Sequence, residues 1–203
     1  MRGLYALNSM EILSKKTLAV IILAVSALTL EFIFCIAPSS AESVSIKDAV
    51  APVVKTGLPV RLKIPRINVD AAIESAGLTS AGAMDIRKVP DAIAWFDLGT
   101  RPGDIGSAVI AGHYGYWKTG QIALFYNLDK LRKGDPIYVE NDKGETITFI
   151  VHEIKTYKPD ADATPVFSST DGKAHLNLVT CSGPWDAVSR SYPTRLVVFS
   201  DKQ

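Results

Sequence analysis

Residues 176–185 read LNLVTCSGPW. Apolar residues alternate through this run with the period of a β-strand. It walks into Cys181 and stops at Ser182-Gly183-Pro184, a cluster of turn formers. A strand therefore delivers a thiol to its end and then turns away. The chain has 2 cysteines, and the other, Cys35, lies in a hydrophobic stretch near the N-terminus. That placement argues against a disulfide between them and leaves Cys181 as a free thiol. A buried, inert cysteine is the competing reading.

Similar strand patterns extend outward in both directions. VRLKIPRINVDAAIE, 60–74, alternates Val60, Leu62 and Ile64 with Arg61 and Lys63, is interrupted at Pro65 and resumes at Ile67, Val69, Ala71 and Ile73. SAVIAGH, 107–113, is a short apolar run ending in Gly-His. PIYVEND and ETITFIVHEIKTYKP flank Asp142-Lys143-Gly144, a hairpin turn with glycine where positive φ is needed. TRLVVFSD closes the chain, with a strand over 194–200 expected to pair inside the sheet. The best helical signal is ALFYNLDKL, 123–131, enough for one or two turns. Many short strands separated by Gly, Pro and Asp predict an all-β barrel or sandwich.

The N-terminal region reads differently. TLAVIILAVSALTLEFIFCIA, 17–37, is interrupted only by Glu31. At about 1.5 Å per residue it is long enough to cross a bilayer. Arg2, Lys15 and Lys16 precede it, and no Lys or Arg follows until Lys47. This asymmetry predicts a cytoplasmic N-terminus, 1–16, with the rest of the chain outside. The segment serves as an uncleaved signal anchor or as a signal peptide, with small residues at Ser39 and Ala41 suited to cleavage. Residues 38–58 read as a linker, and 59–203 as the folded domain. A net charge of +1 gives no electrostatic case for a nucleic-acid partner.

A catalytic cysteine needs a base or cation nearby and donors for a developing oxyanion. The chain has 3 histidines. His113 ends an apolar strand and is followed by Tyr-Gly-Tyr-Trp, a rim loop. His152 falls inside a strand, where alternation groups it with Ile150 and Ile154 as a packed or hydrogen-bonded histidine. His175 starts the strand that carries Cys181 and lies roughly 20 Å from it at about 3.3 Å per residue. Only His113 shares the strand-end placement of Cys181. Arg195 opens the last strand, and an antiparallel return would bring it back beside the cysteine. Arg190, in the intervening loop, is its rival and reads as a solvated charge.

LNLVTC, the downstream RLVVFS and the preceding GH together resemble the sortases. In that family a T-L-x-T-C motif carries the nucleophile, a histidine precedes it at a distance and an arginine opens the final strand. The matching positions are Leu178, Thr180 and Cys181, with His113 and Arg195. Asn177 stands where the motif has its first threonine. The resemblance covers roughly residues 59–200, and the N-terminal anchor fits the family layout.

The resemblance implies a closed eight-stranded β-barrel with short helices, preceded by a membrane helix, with a peptide groove at one end. It implies cleavage of a Leu-Pro-x-Thr-Gly sorting signal on a secreted protein between Thr and Gly, with transfer to an amine of a cell-wall precursor. Cys181 would be the nucleophile and His113 the proton donor and acceptor. Arg195 and backbone N–H groups beyond the cysteine, at Ser182 and Gly183, would hold the oxyanion. Thr180 would shape the groove beside the thiol. The loop 156–175 matches the family's substrate-cupping loop, with Val166 and Phe167 as apolar contacts. Asp160, Asp162 and Asp171 reproduce no calcium-site spacing, so neither a metal nor a cofactor is expected. No extra lid segment is evident before the barrel, and small size with TCSGPW leans towards the class F or class D-like groups. Two other functions remain open: a cysteine peptidase with water as acceptor, and a non-catalytic, membrane-tethered peptide-binding module.

Overall fold

The computed structural model describes residues 55–117 and 120–203. The segments expected at 1–16 and 17–37, and most of the linker, lie outside the described residues. Among the described residues, no helix is long and apolar enough to cross a membrane.

Among the described residues, nine strands form one sheet: β1 (Pro59–Ile64), β2 (Val69–Ala72), β3 (Glu74–Ala76), β4 (Ile93–Phe96), β5 (Gly106–Gly112), β6 (Pro136–Asn141), β7 (Thr146–Tyr157), β8 (Ala174–Ser182) and β9 (Thr194–Lys202). Their order is β2-β1-β6-β7-β9-β8-β5-β4-β3. The strand count differs from the eight expected because one segment, 69–76, is broken at Ile73. Its first part pairs antiparallel with β1 and its second part parallel with β4. The two edges of the sheet are thus consecutive pieces of one chain, and the barrel is nearly closed through them.

The hairpin expected at Asp142–Gly144 joins β6 and β7. Gly144 takes φ 80°, and Asn141 Oδ1 accepts from the Lys143 and Glu145 amides at 3.1 and 2.9 Å. The interruption at Pro65 is a 3-10 turn, Pro65–Ile67, ended by Asn68 in the left-handed region. ALFYNLDKL yields turns and one short 3-10 element, Leu128–Lys130. A single α-turn, α1 (Thr164–Phe167), lies in the loop between β7 and β8. The end of the expected linker, 55–58, is attached to the barrel. Thr56 N–H donates to Asp104 Oδ1 at 2.9 Å, and Leu58 N–H donates to Asp142 Oδ1 at 2.8 Å.

Alternation sorts the strands into two faces. Inward residues such as Leu62, Ile64, Ile110, Phe149, Leu176, Leu178 and Val198 close around Phe125, Leu128 and Leu131. Each fully buried Leu or Phe contributes about 1.5–3 kcal/mol of transfer free energy. A second, smaller cluster lies on the outer face, where Val109, Val197 and Phe199 meet Val166 of α1. Between Val151 and Glu153 the β7–β9 register shifts by a bulge. Ile154 packs against the main core, whereas His152 is left on the outside with 41% of its side chain exposed. His152 therefore parts from Ile154, because the bulge breaks the alternation that grouped them; its ring lies 6.3 Å from that of Phe199 and its Nε2 is 3.4 Å from Asp201 Oδ1.

Candidate active site

β8 and β9 run antiparallel, with Cys181 directly opposite Arg195. Cross-strand partners share a face, so thiol and guanidinium both lie on the outer side of the barrel. The Arg195 guanidinium is held through one end: Nη1 donates to the carbonyls of Tyr192 and Thr194 at 3.1 and 2.9 Å. On the other side of β8, β5 runs parallel, and its pairing ends at Ala111↔Val179. His113 stands just past that end. Beyond the ladder, a side chain continues the bonding: Thr180 Oγ1 donates to the Gly112 carbonyl at 2.8 Å. Gly112 precedes the histidine and Thr180 precedes the cysteine, so this buried bond ties together the strand ends that carry both.

His113 Nε2 lies 2.8 Å from the Arg87 carbonyl. A carbonyl only accepts, so this nitrogen carries a proton, and Nδ1 is the ring nitrogen left to exchange one. Burial pushes the Cys181 thiol above its ordinary pKa, and Arg195 opposes that shift. Tyr192 is likewise raised, by burial first and then by Cys181 and Tyr114.

Two cavities meet at these residues. One is a groove of about 560 Å³. Its floor is Ala111, Val179 and Val197, one wall is the 77–91 loop with Leu78 and Met84, and the other is the β7–β8 loop with Val166 and Phe167. No motif or periodicity marks the 77–91 loop as a wall. α1 is held over β8 by Asn177, whose Nδ2 donates to the Val166 carbonyl at 2.6 Å. Thr164 N–H and Oγ1 both bond Asp162 Oδ1, at 2.9 and 2.6 Å, which fixes the start of that turn. Val166 is buried, while Phe167 is 41% exposed and meets Phe96 edge to face at 5.5 Å.

The second cavity, about 770 Å³, is aromatic: Tyr114, Tyr116, Trp117, Tyr126, Trp185 and Tyr192 surround it, with Arg190 at its edge. Gly115 makes it possible, since its φ is 93° and a Cβ there would collide with the Tyr192 hydroxyl. Cys181, His113 and Arg195 line both cavities. A larger cavity, about 890 Å³, lies at the opposite end around Trp95, Asp104 and Lys202, and no cysteine or histidine lines it.

The expected residues thus separate. His113, Cys181, Arg195, Val166 and Phe167 converge on the groove. Thr180 also lines it, but its hydroxyl is engaged with Gly112. Ser182 lines neither cavity, and its hydroxyl pairs with Thr194 Oγ1 at 2.8 Å. Arg190, exposed and at φ 49°, faces the aromatic cavity. Sequence reasoning marked Tyr114–Trp117 as a rim but missed Tyr126, Trp185 and Tyr192. The signal was present as two large aromatics in a polar, turn-rich loop, where no core explains them.

A barrel with a thiol, an imidazole and a guanidinium around one pair of cavities defines a class of cysteine-dependent proteins. The comparisons are specific about which: a model of the sortase domain matches residues 62–203. The chain belongs to the sortase family, a family of cysteine transpeptidases. Sortase A of Streptococcus agalactiae serotype III (strain NEM316) is 32% identical over 76 residues, a match spanning 37% of this chain and 30% of that relative. The crystal structure of sortase C-1 from Actinomyces oris aligns with TM-score 0.57 and 26% identity, over 71% of this chain and 74% of the other. Sortase C2 of pilus island 1 from Group B Streptococcus aligns with TM-score 0.55 and 27% identity, over 71% and 73%. These relatives are of the A and C types, so the class F or class D-like placement rests on sequence features alone.

Proposed function

We propose that the protein is an extracytoplasmic cysteine transpeptidase that cleaves a Leu-Pro-x-Thr-Gly-type sorting signal between Thr and Gly and passes the acyl group to an amine of a cell-wall precursor. The observation that carries this reading is that Cys181, His113 and Arg195 line both cavities. A transpeptidase needs one site for the acyl donor and another for the acceptor, with the nucleophile common to both.

In this reading the apolar groove takes the Leu-Pro side of the signal against Val166, Phe167 and Met84. The Cys181 thiol passes its proton to His113, the thiolate attacks the Thr carbonyl, and Arg195 donates to the oxyanion that forms. The tetrahedral intermediate collapses, the C–N bond breaks, and His113 protonates the leaving glycine amine. The incoming amine approaches through the aromatic cavity and attacks the thioester. His113 takes its proton, and Cys181 leaves as thiolate. Because burial disfavours the thiolate, the cationic Arg195 opposite it supplies the compensating field. We place the domain outside the membrane on a single N-terminal span at 17–37, on the strength of the charge asymmetry around that segment. Secreted proteins with C-terminal sorting signals are then its clients.

The test is incubation of the full chain with a fluorogenic Leu-Pro-x-Thr-Gly peptide library and a glycine-type amine, read by product mass. Amine-ligated product that disappears in Cys181→Ala is expected. Hydrolysed product alone would make water the acceptor. Turnover that survives Cys181→Ala refutes the reading.

A further inference from the structure

We propose that His152, His175 and Asp201 form a zinc site on the outer wall of the barrel, remote from Cys181, with Asp171 orienting His175. One ligand atom from each of the three lies within 4.8 Å of those of the others. The topology explains why they meet. β9 lies between β7 and β8, so Asp201 is flanked by a histidine from each neighbour. His175 is its register partner on β8. His152 comes from the β7 bulge, which turns its ring outward at the level of Asp201.

The spacing suits a four-coordinate metal. With Zn–N and Zn–O bonds of about 2.0–2.2 Å, a tetrahedral site separates its ligand atoms by about 3.4 Å. His152 Nε2 and Asp201 Oδ1 are already 3.4 Å apart. His175 Nδ1 and Asp201 Oδ1, now hydrogen-bonded at 2.7 Å, would open by about 0.7 Å as a metal replaced the shared proton. A second feature points the same way. The outer nitrogen of His175, Nε2, is bonded to Asp171 Oδ1 at 2.9 Å. A carboxylate on the far nitrogen is the usual support of a metal-bound imidazole, fixing its tautomer and orientation. Two imidazoles and one carboxylate favour zinc over calcium or magnesium, which take oxygen ligands. Access is open, since His152 and Asp201 are each 41% exposed on their side chains, and water completes the fourth position.

The site would join β7, β8 and β9. Through Asp171 it would also hold the loop that carries Val166 and Phe167 into the groove. It is independent of the proposed reaction.

The experiment is a zinc titration of the untagged 203-residue chain against a chromophoric chelator. It is carried out in the Cys181→Ala background, so that the groove thiol takes no metal. One Zn²⁺ is expected to bind with Kd below about 10 µM. His152→Gln and Asp201→Asn should each weaken it at least about tenfold, as loss of a ligand does. At a hundredfold excess over Kd, zinc should raise Tm by about 5–10 °C, and not in His152→Gln. His152 is on the surface, so that variant should keep the wild-type circular dichroism. Binding weaker than this limit, or unchanged in the two variants, overturns the proposal and leaves His175 as a hydrogen-bonded clamp between two carboxylates.

Discussion

Thr180→Val tests whether the strand-end lock matters to the site. Thr180 is 3% exposed, and its hydroxyl donates to the Gly112 carbonyl at 2.8 Å. Valine has nearly the same shape, so no cavity opens, and the cost is that of one buried hydrogen bond. That is about 1–2 kcal/mol, the upper part arising if the Gly112 carbonyl finds no other donor. For a domain of this size the loss lowers Tm by about 2–8 °C. At 25 °C such a variant remains folded, so turnover can be measured without correction. The bond spans the two residues that precede His113 and Cys181, and freeing it lets their strand ends separate. Displacements of about 1 Å between reacting groups cost up to about a hundredfold in rate. Urea melts followed by tryptophan fluorescence, with steady-state turnover of a sorting peptide, give both quantities. Thr180→Ser keeps the hydroxyl and should restore activity. A Thr180→Val protein with the expected stability loss but wild-type turnover refutes the lock as a feature of the site. One with no stability loss refutes the bond.

Further outcomes are expected at the thiol and at the β7–β8 loop. Because burial holds the Cys181 thiol above its ordinary pKa, the thiolate forms only as pH rises, so alkylation by iodoacetamide should keep accelerating through the alkaline range with no plateau near neutrality. Arg195→Gln removes the opposing charge and should slow the reaction at any fixed pH in that range, whereas a plateau near neutrality would contradict the assigned cause. On the β7–β8 loop, Phe167→Ala should raise the peptide KM several-fold and change stability by under about 1 kcal/mol, since the ring is 41% exposed. Asn177→Ala, which cuts α1 from β8, should raise KM and also cost about 1–2 kcal/mol in a denaturant melt.

The strands were legible because their inward residues repeat with period two: Leu176, Leu178 and Val198 announce the core face from the sequence alone. The hairpin at Gly144 and the return of β9 beside β8 were legible for the same local reason. What stayed hidden depends on non-local facts. The bulge at His152 is one extra residue in a strand, and nothing in FIVHEIK marks which residue is extra. α1 is four residues long, too short for a helical period, and it is held by Asn177 eleven positions away. Asn177 reads as a departure from a threonine motif. In the structure it is the pin beneath the β7–β8 loop, with its Oδ1 buried and without a hydrogen-bond partner among the described residues. The wall formed by 77–91 has no periodicity at all; it becomes a wall only because β4 and β5 place His113 beneath the Arg87 carbonyl.

The order and spacing of the three central residues follow from sheet topology. β5 and β8 are parallel neighbours, and a parallel connection cannot be a tight turn. The chain must leave the rim after His113, build β6 and β7, cross the barrel and return before it can place a residue beside the histidine. That journey takes 68 residues (181 − 113). β8 and β9 are antiparallel neighbours and need only one loop, so Arg195 follows after 14 (195 − 181). That loop carries Trp185, Arg190 and Tyr192, and it therefore forms the wall of the aromatic cavity beside the thiol it has just left. The long excursion ends in the β7–β8 loop, which brings Val166 and Phe167 to the groove on the thiol's other side. Each of the two connections into and out of β8 thus builds one cavity. Cys181 is shared by both because it sits near the end of the strand between those connections.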